Sequence, residues 1–116
     1  MKKILLGVLI LLLTIQVNAK ENKQKYKDYA YDIVINTYHW TEEDYNNLVK
    51  LWTKESGWRV KAKNGRFYGI PQTNKKKYGK KYNDYKTQIK VGLKYIKKRY
   101  KNPTSAWKYF KKRRWY

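Results

Sequence analysis

The sequence predicts an all-α protein: a small single domain of four helices around an irregular, glycine-punctuated middle. Three observations carry this. Apolar residues recur at three- and four-residue spacing in four stretches, breakers separate those stretches, and no period-two run is long enough for a convincing strand. A chain of 116 residues allows one compact domain. Hydrophobic residues make up 41% and aromatics 17%, enough to build a core although the formal charge is +21. Such a charge favours polyanionic partners, whether nucleic acid, anionic lipid or an acidic cell-envelope polymer.

The N-terminus narrows that choice. Met1-Lys2-Lys3 is a short positive start, Ile4 to Ile15 is an apolar run broken only by Gly7 and Thr14, and Val17-Asn18-Ala19 offers a cleavage site. Twelve residues fall short of the roughly 20 that a membrane-spanning helix needs. The expectation is a signal peptide over 1–19 and a working domain over 20–116, exported to the periplasm, cell wall or extracellular space, with no transmembrane segment once the leader is cut. An uncleaved anchor is the alternative. The leader holds only two of the lysines, so the positive charge belongs to the domain, and specific nucleic-acid binding drops in rank. With no cysteine, neither a disulfide nor a lipid-anchored start is available.

Tyr26, Tyr29, Ala30, Ile33, Val34 and Thr37 share one face of a first helix over about 24–37. After the break at Tyr38-His39-Trp40, Thr41 with Glu42, Glu43 and Asp44 reads as an N-cap with acids in the first turn, where the helix dipole favours them. Tyr45, Leu48, Leu51, Trp52 and Glu55 line one side of this second helix, and Ser56-Gly57 ends it. Residues 58–86 lack a helical period and read as a loop lobe rich in lysine. A third helix spans Thr87 to Tyr100, with Ile89, Gly92, Leu93, Ile96 and Tyr100 on one face. Asn102-Pro103 stops it and starts a fourth, whose stripe is Ala106, Trp107 and Phe110.

Ionisable groups are few. The single His39 and the absence of cysteine exclude nucleophilic triads and Cys/His metal sites, and no cofactor is expected. Glu55 stands out because it continues the apolar stripe, three after Trp52 and seven after Leu48. A carboxyl facing an aromatic crevice is partly desolvated and keeps its proton near neutral pH, as a glycosidase acid requires. From spacing alone, a helix-end glutamate leaning into solvent is the favoured reading.

The residues themselves add a second argument. Leu51-Trp52-Thr53-Lys54-Glu55-Ser56-Gly57-Trp58, then Ala62, Asn64 and Tyr68-Gly69-Ile70-Pro71-Gln72, resemble the catalytic segment of the lytic transglycosylase-like, goose-type lysozyme-related family that cleaves peptidoglycan. Gln88-Ile89, Gly92-Leu93, Tyr95-Ile96, Arg99-Tyr100, Pro103, Ala106-Trp107 and Trp115-Tyr116 follow the family order. The resemblance runs from Tyr29-Ala30 to the end and implies a lysozyme-like helical fold whose loop lobe forms a sugar cleft. It implies that Glu55 is the catalytic acid, that Gln72 lies in the cleft, that Ser56 steadies the active-site turn, and that Tyr95 faces the glutamate. Tyr68 and Trp107 are candidate sugar contacts or core residues with one edge in the cleft; Trp58 and Trp115 are more often core. His39 stands where the family often has glycine and reads as a turn position.

After Glu55 the only other acid is Asp84, which also suits the N-cap of the third helix. Most glycosidases use two carboxylates. A lytic transglycosylase, as the resemblance implies, uses one, and releases 1,6-anhydro-muramyl ends from the bond between N-acetylmuramic acid and N-acetylglucosamine. The expected partners are peptidoglycan strands and anionic envelope polymers, met by a monomer. The alternatives are a lysozyme-type hydrolase of the same bond and a non-catalytic cationic wall-binding or antimicrobial protein.

Overall fold

The computed structural model describes residues 22–114, and over them the chain is all-α with one small sheet. The leader predicted over 1–19 and the terminal aromatics Trp115 and Tyr116 lie outside the described residues. Among the described residues no helix is long and apolar enough to cross a membrane.

Helix α1 spans residues 22–32 and widens into a π-turn at Ile33–Thr37, where the sequence predicts regular helix. Ile33, Val34, Ile35 and Thr37 are β-branched and crowd the turn before them. The wider turn closes with the Tyr38 amide donating to the Ile33 carbonyl at 3.0 Å. Tyr38 and Trp40 then stack at 4.3 Å, and His39 between them adopts φ 55°, as expected of a turn position.

Helix α2 (Glu42–Ser56) starts at a reciprocal capping box between Thr41 and Asp44, and ends at Gly57 in the left-handed region, φ 62°. Both boundaries agree with the sequence reading. Asp44 also joins α2 to the last helix: the Thr104 hydroxyl and amide donate to its Oδ1 at 2.6 and 3.3 Å. Burial works to raise the Asp44 pKa, but the hydrogen bonds from Thr104 and Thr41 outweigh it and hold this carboxyl below its usual range.

The segment after α2 departs most from expectation. In place of a structureless loop it forms β1 (Lys63–Asn64), β2 (Phe67–Tyr68) and β3 (Thr73–Asn74), an antiparallel sheet in chain order, with Lys63 opposite Tyr68 and Phe67 opposite Asn74. Helix α3 (Lys75–Tyr78) and a 3₁₀ turn at Gly79–Asn83 follow. Two-residue strands are too short to display the alternation by which a strand is read from sequence. Helix α4 (Tyr85–Tyr100) begins two residues before Thr87, and Tyr85 packs its ring on Tyr26 and Tyr29 of α1. Helix α5 (Pro103–Arg113) starts as expected, with Pro103 in its first turn and the Asn102 side chain accepting from the Ser105 amide.

Leu48, Leu51 and Trp52 of α2 and Ile89, Leu93 and Ile96 of α4 form the core, with Ala30, Val34 and Ala106 from the flanking helices and Trp58 and Ile70 from the lobe. Full burial of such side chains contributes about 1.5–3 kcal/mol each. Gly92 sets how closely α4 approaches. A Cβ there would come within 2.6 Å of Pro71 Cβ and 2.7 Å of Trp52 Cζ2. Gly92→Ala is therefore expected to destabilise the protein by about 1–3 kcal/mol, read as a lowered Tm in thermal denaturation; an unchanged Tm would contradict this packing.

Candidate active site

Glu55 sits in the last turn of α2, between the buried Trp52 and the C-capping Gly57. Its side chain is half-buried, and no hydrogen bond or ion pair reaches it among the described residues. In a chain with 29 lysines and arginines this isolation is itself informative. The nearest basic residue downstream, Arg59, turns back and donates from Nε to the Ser56 carbonyl at 2.8 Å, completing the helix end. Burial pushes the Glu55 carboxyl up from 4.5 to about 7. At neutral pH a substantial share of it keeps the proton.

Among the described residues, the acids of the first two helices are engaged or remote. Asp28, Asp32 and Glu42 accept hydrogen bonds from Gln24, Asn36 and Tyr31, and Asp44 is held by Thr41 and Thr104. Glu42, Glu43 and Asp44 occupy the first turn of α2. Eleven to thirteen residues at the helical rise place them about 16–20 Å along the axis from Glu55. Paired glycosidase carboxylates stand roughly 5–9.5 Å apart. Asp84 is exposed at the N-cap of α4; its carboxylate makes no cap bond to the helix amides and accepts only a long 3.5 Å bond from the Thr87 hydroxyl.

The lobe is fixed to this helix end by polar side chains. Ser56 is buried and donates its hydroxyl to the Ile70 carbonyl at 2.6 Å. It steadies the turn, the role the resemblance gives it, and is not placed to meet a ligand. Gln88, to which the sequence assigns no role, is fully buried in the first turns of α4. Its Oε1 accepts from the Ile70 amide at 2.9 Å, and its Nε2 donates to the carbonyls of Val60 and Tyr82 at 3.0 and 2.8 Å. Gly69 passes so close to this carboxamide that any Cβ would overlap it. A glutamine beside an apolar helical stripe signals only a boundary between core and solvent, so its function is visible only once the lobe is folded around it.

Two residues away from Ile70 the chain enters a cleft of about 190 Å³ lined by Phe67, Gln72, Thr73, Asn74, Tyr78 and Tyr95, with Lys77 at its rim. Gln72 and Tyr95 both line this cleft. Gln72 adopts φ 54°, and its Nε2 donates to the Ala62 and Gly69 carbonyls, leaving Oε1 as the atom that can meet a ligand. The Tyr95 hydroxyl accepts from Arg99 at 2.9 Å. Phe67 and Tyr78 join the cleft unannounced, one from a two-residue strand and the other from a lysine-rich stretch without period. Glu55 lies outside the lining of this cleft and connects to it through Ser56, Ile70, Pro71 and Gln72.

The two other expected contacts lie elsewhere. Tyr68 lines a second, larger hollow, with the Lys75 ammonium 4.3 Å from its ring centre. Trp107 stacks on Phe110 at 5.7 Å on α5, partly buried against the core. Trp58 is core, as expected, with its indole donating to the Val49 carbonyl.

Compared with known proteins, the chain matches no family model, no curated protein and no solved structure.

A carboxyl whose folded pKa lies above its unfolded value weakens the fold as pH rises between the two, because the unfolded chain releases the proton first. Stability is expected to fall between about pH 4.5 and 7 on this account. Glu55→Gln should raise Tm by a few degrees at pH 8 and leave it unchanged at pH 4; the reverse pattern would show that Glu55 is stabilised as a carboxylate.

Proposed function

We propose that the protein is a peptidoglycan lytic transglycosylase that cleaves the bond between N-acetylmuramic acid and N-acetylglucosamine with Glu55 as its acid and base. The observation that carries this reading is Glu55 itself: a half-buried carboxyl, unpaired among the described residues, with its pKa pushed up to about 7 at the helix end from which the lobe departs. The cleft that contains Gln72 supports it, because aromatic faces from Phe67, Tyr78 and Tyr95 beside the amides of Gln72 and Asn74 suit the apolar faces and hydroxyls of sugar rings.

The chemistry follows from Glu55 being the half-buried, unpaired carboxyl among the described residues. Glu55 donates its proton to the glycosidic oxygen as the bond to the muramyl C1 breaks. The carbonyl oxygen of the substrate's own 2-acetamido group closes on C1 and takes the role a second carboxylate plays in most glycosidases. Glu55, now a carboxylate, removes the proton from the muramyl 6-hydroxyl, whose oxygen displaces the acetamido group. A 1,6-anhydro ring forms, Glu55 regains its proton, and no water is consumed.

Purified protein acting on isolated peptidoglycan should release products bearing 1,6-anhydro ends by mass analysis; products heavier by one water would make it a hydrolase. Glu55→Gln, which keeps the shape and loses the transferable proton, should lower the rate by about 100-fold or more. Activity should decline as pH rises above about 7, where Glu55 loses its proton. Lysis that survives the substitution and vanishes with added salt would assign the effect to the lysines instead.

A further inference from the structure

The lobe has two faces of opposite chemistry. Phe67 and Tyr68 are consecutive in β2 and so point to opposite sides. Phe67 lines the aromatic cleft, while Tyr68 lines a hollow of about 640 Å³ on the other side. Five cationic side chains surround that hollow, Lys63, Arg66, Lys75, Lys76 and Lys80, and no acid lines it among the described residues. Helix α3 repeats the division: Lys75 and Lys76 face the hollow, Lys77 and Tyr78 the cleft. Gathering five like charges around one space raises its potential and costs folding energy unless an anion offsets it.

We infer that this hollow is a binding site for a phosphodiester polymer, held through several successive phosphates. Its volume exceeds what a single phosphate needs, and its charge exceeds what one phosphate neutralises. Four of the five cations are lysines, point charges that meet phosphate oxygens from many directions, and Arg66 adds a fork that a phosphate can accept bidentately. Single-stranded nucleic acid is held largely by stacking bases on exposed aromatic faces. Among the described residues the one aromatic ring lining this hollow is Tyr68, and the Lys75 ammonium already sits over its face. A polymer of phosphates joined by small polyols, without bases, fits both features. The site does not depend on the chemistry of Glu55.

The test uses Glu55→Gln protein, so that binding is read whether or not the parent cleaves glycan, with a synthetic poly(glycerol phosphate) as probe. Lys75→Gln, Lys76→Gln and Lys80→Gln together should weaken binding by tenfold or more. Lys98→Gln, Lys108→Gln and Lys112→Gln, which remove equal charge from exposed positions of α4 and α5, should weaken it less than threefold. Amide shift changes on titrating the unsubstituted-lysine protein should cluster at residues 63–66 and 75–80, a readout that does not rely on the lysine variants. Equal losses from both triple variants, or shifts spread over α4 and α5, would reduce the effect to diffuse charge and overturn the site. Binding of polyglutamate, single-stranded DNA or phosphatidylglycerol vesicles as tight as that of the polymer at matched charge and salt would overturn its assignment to a phosphodiester polymer.

Discussion

The carboxamide of Gln88 is the contact on which the lobe depends. Between α2 and α4 the chain contributes little apolar surface of its own to the core, chiefly Trp58, Ile70 and the buried Tyr82. A segment so poor in hydrocarbon cannot be fixed by burial alone, and its backbone groups need partners. Gln88 supplies three at once, to Val60, Ile70 and Tyr82, from a rigid helix turn in the interior, where hydrogen bonds are expensive to leave unmade. Ser56 adds a fourth from the end of α2 by donating to the Ile70 carbonyl. The lobe is therefore indexed to both long helices through one residue, Ile70.

This arrangement explains why the remaining geometry is narrowly constrained. Gly69 must lack a side chain because Gln88 lies against it, and Gly92 must lack one because Pro71 and Trp52 do. Both contacts bring α4 close to the end of α2 and leave Glu55 at the seam between helix and lobe. The protein keeps there a carboxyl that is half-buried and unpaired among the described residues. Such a group lowers stability near neutral pH. The same lobe divides two environments, aromatic and polar on one side and cationic on the other.

Much of the helical frame was legible because its signals are local. Thr41 with Asp44, Gly57 after Ser56, and Asn102 before Pro103 are start and stop signals whose physics acts within a few residues, and each marks a boundary in the structure. The stripe through Leu48, Leu51, Trp52 and Glu55 located the half-buried glutamate for the same reason. The lobe was not legible. Its strands are two residues long, its turns depend on φ values that Trp58 and Gln72 adopt without glycine, and its anchor is a glutamine one position from Ile89 that no periodicity distinguishes from a surface residue. Tyr68 and Trp107 were recognisable as aromatic, but which side of the lobe or bundle an aromatic faces is set by long-range contacts that spacing does not encode.

The claim at the centre of this picture is that the fold holds Glu55 as a proton donor at neutral pH. Titration of its side-chain carboxyl by carbon NMR in the folded protein, assigned by the loss of the signal in Glu55→Gln, tests that directly. A midpoint near 7 is expected. A midpoint near the ordinary value of 4.5 would mean that Glu55 is a solvated helix-end carboxylate and carries no acid chemistry.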